Sequence, residues 1–160
     1  MLPIASDAMK KITLLLLGII AFTACSKEPP ADKIKGSYGC NVNLYTRYMK
    51  NGKWRDTSYV STTNNAVVLE KIDENTVSVK ATSKKWGEAI CTAAKISDFN
   101  YEANFSGNGN DTLYVNGKKY VADISGTVSY DSRSMAVSVR VPNFPNSGGK
   151  YILAFTNTSY

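Results

Sequence analysis

Few side chains in this sequence are equipped for chemistry, and histidine is missing altogether. That excludes Ser-His-Asp and Cys-His nucleophilic catalysis, histidine-ligated metals and histidine pH switches. Ser147-Gly148-Gly149-Lys150 has the spacing at which a serine nucleophile meets a lysine base across one helical turn. Two glycines ahead of an apolar, strand-like run predict a loop there instead. Carboxylates gather at Glu70, Asp73 and Glu74 and again at Asp98 and Glu102, and paired carboxylates can hydrolyse glycosides. Asp73-Glu74-Asn75 reads as a turn, however, where solvated acids are ordinary. Gly117-Lys118 lacks the upstream glycine of a phosphate-cradling loop. No Cys-x-x-Cys pair occurs, so no zinc site is expected. The expectation is a protein that is not an enzyme and that carries no cofactor or metal.

Cysteine chemistry points elsewhere. Lys10-Lys11 precedes the apolar run Ile12 to Phe22, broken only by Thr13 and Gly18, which leads into Thr23-Ala24-Cys25. A positive start, a short apolar run and small residues at the cut describe a secretory signal over residues 1–24, with Met9 a better start than Met1. The run is too short for a membrane span, which needs roughly 18 apolar residues. Phe22-Thr23-Ala24-Cys25 resembles the lipobox of bacterial lipoproteins. The resemblance implies cleavage before Cys25, acylation of that cysteine (with palmitate among the chains) and attachment to a membrane through lipid. Ser26 after the cysteine implies sorting to the outer membrane, with the periplasmic and the cell-surface sides both open.

Cleavage there leaves 136 of the 160 residues, enough for one domain with a core. Removing Lys10, Lys11 and Asp7 lowers the formal charge from +6 to +5. Beyond the leader, no basic cluster exceeds the pairs Lys84-Lys85 and Lys118-Lys119, so nucleic acid is not an expected partner. With Cys25 lipidated, Cys40 and Cys91 remain. They are either a disulfide, closing a loop of about 50 residues worth about 4 kcal/mol, or two separate buried thiols.

Residues 25–35 are polar and proline-bearing, and predict a flexible tether reaching roughly 30 Å. From Gly36 onward the period is two. Tyr38, Cys40, Val42 and Leu44 alternate with polar neighbours, as half-buried strands do. Asn51-Gly52 is a strong hairpin signal. A two-residue loop there sets Arg47 opposite Asp56 and Met49 opposite Trp54, pairs that each contribute roughly 0.2–1 kcal/mol. Ala66–Ile72 and Thr76–Ala81 form a second pair, and Asn116-Gly117 turns another. Glu88–Lys95 is ambiguous between strand and a helical turn. Phe99, Tyr101, Ala103 and Phe105 predict a strand, and Met135–Val141 and Tyr151–Thr156 two more. The tally is nine or ten strands over residues 36–160, with at most one brief helix.

Such local pairing predicts an all-β, antiparallel up-and-down barrel of about 8–10 strands, with a β-sandwich as runner-up. Ile34-Lys35-Gly36-Ser37-Tyr38 and the run Gly117-Lys118-Lys119-Tyr120 to Ile124-Ser125-Gly126-Thr127-Val128 resemble small lipocalin-like (calycin-like) lipoprotein domains, although the longer Gly-x-Trp opening is missing. That resemblance implies a monomeric barrel that binds a small apolar or amphipathic ligand. The alternative is a surface module that binds glycan or host protein through exposed strand faces. Inward positions are expected at Tyr38, Val42, Leu44, Val77, Val79, Val137 and Val139. Trp54, Tyr59 and Trp86, set among polar residues, are candidates to line a shallow site. Asp111-Thr112-Leu113 resembles an O-glycosylation signal of exported proteins, with Thr112 as acceptor in an expected loop.

Overall fold

Two Asn-Gly dipeptides set the hairpins where the pattern demands them. Asn51 and Gly52 have φ of 50° and 72°, and Asn116 and Gly117 have 50° and 76°, the paired left-handed conformations of a type I′ turn. The computed structural model describes residues 27–157; the signal segment, Cys25 and the chain end at 158–160 lie outside them. A short helix, α1 (Pro30–Ile34), leads into β1 (Gly36–Gly39), β2 (Asn41–Lys50), β3 (Lys53–Ser61) and β4 (Asn65–Asp73). Then follow β5 (Thr76–Ser83), β6 (Gly87–Asp98), β7 (Glu102–Ser106) and β8 (Asp111–Val115). The last three are β9 (Lys118–Ser129), β10 (Met135–Arg140) and β11 (Tyr151–Asn157).

All eleven strands belong to one antiparallel sheet, ordered β1-β4-β5-β6-β7-β9-β10-β11-β2-β3. β8 lies end to end with β7, both between β6 and β9. The count exceeds nine or ten because continuous-looking runs are interrupted. Cys40 separates β1 from β2, and residues 107–110 separate β7 from β8. The β2–β3 register is the one read from the sequence: Arg47 faces Asp56 and Met49 faces Trp54.

Glu88–Lys95 is strand, not helix. Its pairing with β5 slips between Val77 and Val79, whose partners are Ala94 and Cys91. The bulge shifts the buried phase from Ala89 and Cys91 to Ala94, and that spacing is what imitates a helical turn. Phe99 and Tyr101 are not strand residues either. They sit in the β6–β7 turn, 54% and 74% exposed, and only Ala103 and Phe105 of that run point inward.

The inward positions read from the sequence are all buried, from Val42, Val77, Val79 and Val139 at 0% to Leu44 at 6% exposed. Around them pack Val67, Leu69, Leu113, Val128, Leu153 and Phe155. One end of the core is covered by a segment expected to be tether. Pro30 opens α1, where a missing N–H costs nothing, and Ala31 and Ile34 are fully buried. The Ala31 N–H donates to Glu74 O at 3.2 Å, and the Tyr38 hydroxyl to Ile34 O at 2.6 Å. Arg133, from the β9–β10 turn, donates to the carbonyls of Lys33 and Lys35. Pro30–Ile34 therefore belongs to the folded domain and not to the expected tether, because two buried apolar side chains and these four hydrogen bonds hold the helix in place.

Gly87 opens β6 with φ of 94°, and a Cβ there would stand 1.9 Å from the Tyr114 carbonyl oxygen. Gly117, with φ of 76°, has open space around it. Gly117→Ala should cost about 1 kcal/mol from backbone strain alone and Gly87→Ala clearly more, read as urea midpoints at constant m. Equal losses would mean that β6 and β8 part easily.

Candidate binding surface

The inner face of the sheet is lined by buried apolar side chains. α1 packs at one end of it, and a cluster of aromatic rings packs at the other. Phe144, from the loop between β10 and β11, stacks on Tyr151 with centroids 3.7 Å apart and tilts against Tyr120 at 4.7 Å. Burial pushes the Tyr151 hydroxyl up to about 12. Trp86, expected at an open site, is only 7% exposed and belongs to this core, with the Lys85 ammonium 5.1 Å above its ring.

The outer end of the β2–β3 hairpin is different. β11 pairs β2 only as far as Thr46, so the two strands run on toward Asn51-Gly52 supported by each other. Along the whole hairpin Tyr45, Tyr48, Met49, Trp54, Tyr59 and Val60 are each 40–59% exposed, six of the eleven exposed large apolar residues among those described, and Tyr48, Met49 and Trp54 lie beyond the reach of β11. A free two-stranded ribbon is marginal in water, and this one is braced by the β10–β11 loop. Trp54 lies on Gly148, where a Cβ would come within 2.8 Å of its ring. Asp56 accepts from Arg47 Nε at 2.6 Å and from Lys150 Nζ at 2.7 Å. Those two cations hold its carboxyl below the usual range, the Lys150 hydrogen bond most of all. The pairs are exposed, so they orient the hairpin more than they stabilise it.

Direct neighbours across a ladder share a face, and Leu44 faces Tyr59 while Met49 faces Trp54. Tyr59 and Trp54 therefore project from opposite faces of β3. With Trp86 in the core, the three aromatics do not converge on one site. On the Tyr59 face, Lys50 stands opposite Lys53 and Tyr48 opposite Arg55. None of these three cations has an acidic partner among the described residues. Directly opposed like charges destabilise a ladder. Sequence reading placed the hairpin but missed the patch, which exists only because β11 ends where it does.

Elsewhere, members of the sets that resembled catalytic ones make hydrogen bonds of their own. The Ser147 hydroxyl donates to Phe144 O at 2.7 Å while Lys150 reaches Asp56, so serine and lysine do not meet. Asp73 accepts from the Asn75 N–H at 2.8 Å, which lowers its pKa and closes the turn. Asp98 accepts from the Tyr130 hydroxyl. Among the described residues no three acids or cysteines stand close enough to hold a metal ion.

Thr112 is not in a loop. It lies on β8 between Ile90 and Val121, flanked by buried Asp111 and Leu113. Its outward face joins Asn108, Asn110 and Lys119 around a polar hollow of about 240 Å³. A broader concavity of about 470 Å³ crosses the outer face of β7, β9, β10 and β11. Small outward residues border it, with Asn104, Thr127, Ala136 and Thr156 aligned across the strands. Asp111 went unrecognised in the sequence: its carboxylate accepts the Ile124 N–H at 3.0 Å and bridges the break between β7 and β8.

No protein-family model, curated protein or solved structure matches the chain. The residues themselves therefore carry the functional argument.

Cys40 and Cys91 are free thiols, not the bridge that was one of the two expectations. Cys91 points into the core from β6, and Cys40 sits at the β1–β2 break. Burial pushes them up to about 12 and about 11. At pH 8 a thiol near 11 is ionised in about one molecule in a thousand. A variant lacking Cys25 should resist iodoacetamide while folded and take up two labels once unfolded. No label until a reductant is added would restore the disulfide.

Proposed function

We propose that this chain is a non-enzymatic outer-membrane lipoprotein, anchored through Cys25, whose β-barrel domain binds a partner through exposed strands. Strand order supports the barrel. From β4 the ladders run through β5, β6, the β7–β8 line, β9, β10 and β11 to β2; β1 pairs β4 and β3 pairs β2, and the chain itself joins β1 to β2 and β3 to β4. Counting each interrupted line once makes eight strands, a number at which side chains can fill the interior. A small apolar ligand inside the barrel has less in its favour, since the inward side chains pack against one another and α1 and the Phe144 ring pack at the two ends. The observation that carries the proposal is the β2–β3 hairpin, with its aromatic and cationic side chains held out in solvent. Large exposed apolar clusters on a monomer mark interaction sites.

The anchor adds an orientation. With α1 docked, only four residues, 26–29, separate the lipidated Cys25 from the domain, a reach of at most about 15 Å. α1 begins β1 and β2, whose combined length carries the hairpin tip to the far end. The partner surface therefore faces away from the anchoring membrane, whichever side of it the protein occupies.

Two measurements test this reading. Cys25→Ala should move the protein from the membrane fraction of its native host to the soluble one, and membrane retention would overturn the anchor. Solvent extraction of the natively purified domain should release no stoichiometric apolar compound, while arrays of glycans and extended peptides should show binding that falls at least tenfold in Trp54→Ala. A stoichiometric compound, or binding untouched by that substitution, would return the site to the interior.

A further inference from the structure

Resting on that reading, we infer that the free edge of β3 is a docking strand for an extended acidic segment of another protein. β3 is nine residues long and, among the described strands, is paired with β2 alone. Among the described residues no other strand pairs its second edge, where only Ser61 O has a partner, the Asn65 amide at 2.9 Å; such an edge is the template on which β-augmentation builds. Exposed edges of this length are usually shortened, bulged or covered. Here seven of the nine residues are exposed, Trp54, Tyr59 and Val60 among them.

The side chains select the occupant. Lys53, Arg55, Thr57 and Tyr59 lie on one face of β3, continued across the ladder by Lys50 and Tyr48. Lys50, Lys53 and Arg55 lack acidic partners among the described residues, so that face calls for carboxylates at alternate positions of the incoming strand. The opposite face carries Trp54, Ser58 and Val60, with Asp56 already neutralised by Arg47 and Lys150. It suits apolar residues at the intervening positions. The complementary segment thus alternates Asp or Glu with apolar residues, a pattern native to strands. A second copy of this chain is disfavoured, because it would bring three more unpaired cations to the same patch. An anionic glycan would satisfy the charges but not the peptide groups of the edge.

The test uses the whole domain with a synthetic peptide of alternating Glu and Val, a Lys and Val counterpart, and a sulfated oligosaccharide. The acidic peptide should bind, weaken several-fold at 0.5 M salt, and slow amide hydrogen exchange within Lys53–Ser61. Lys53→Glu with Arg55→Glu should cost at least tenfold and favour the basic peptide, with the thermal midpoint recording that the fold is kept. Binding of the sulfated oligosaccharide without amide protection in β3 would overturn the strand assignment while leaving surface binding intact. A dimer with β3 protected in the absence of peptide would likewise assign the edge to a second copy. Failure of every strand and glycan probe, together with a compound extracted from the interior, would overturn the surface reading itself.

Discussion

Backbone pairing across Gly36–Asp73 is the constraint on which the rest of the sheet depends. Residues 36–50 and 53–73 form one long hairpin, interrupted at Cys40 and at residues 62–64. β4 needs a second neighbour and finds β5, and β2 finds β11. Every later strand is laid down between those two. A buried N–H or C=O left unpaired costs as much as a lost hydrogen bond, so the remaining strands must fill the interval with continuous ladders. Where a strand cannot do so alone, a substitute appears. The Asp111 carboxylate takes the Ile124 N–H, and the Gly107 N–H reaches Ile124 O, across the gap between β7 and β8. Gly107 has to be glycine there, since a Cβ would stand 1.9 Å from Asp111 Oδ2.

The same hairpin is longer than its neighbours can cover. β11 is seven residues long and leaves β2 after Thr46, and β5 pairs β4 only back to Asn65. What projects is therefore the distal half of β2 and all of β3. In solution such a ribbon would fray, and its bracing is specific. Trp54 needs a residue without a side chain beneath it, which Gly148 provides, and Asp56 needs two cations brought from β2 and from the β10–β11 loop. That loop also inserts Phe144 against Tyr120 and Tyr151. One segment thus closes the core and supports the exposed hairpin, which couples the rigidity of the surface to the packing of the interior.

Much of this architecture was legible because strand alternation is a local property. The Arg47–Asp56 and Met49–Trp54 register followed from Asn51-Gly52 alone, and the inward set from Tyr38 to Val139 followed from parity. The misreadings have a shared cause in contacts distant along the chain. Ser26–Lys35 looks like a tether until Arg133, about a hundred residues later, meets the carbonyls of α1. Glu88–Lys95 looks helical because a bulge, invisible without its partner strand, shifts the buried phase. Trp86 and Trp54 have similar polar neighbours in sequence, yet one is core and the other surface. Thr112 looked like loop because the glycines and asparagines before it do form one, but β8 already begins at Asp111.

The hairpin's charges bear on why such an edge would be kept. Lysine on an exposed edge is a common guard against unwanted pairing, since an incoming neutral strand must desolvate it. A guard works best when isolated and pointed across the edge. Here Lys50 and Lys53 oppose each other and Arg55 follows on the same face, a concentration that repels itself and weakens the ribbon. Asp56 shows that an acid on β3 can be accommodated, but it is spent on Arg47 and Lys150 on the other face. A sequence that tolerates this strain, and braces it with Trp54 on Gly148, is better explained by a missing counter-charge than by protection. On the proposed reading, the same cations that disfavour a neutral strand or a second copy recruit an acidic one.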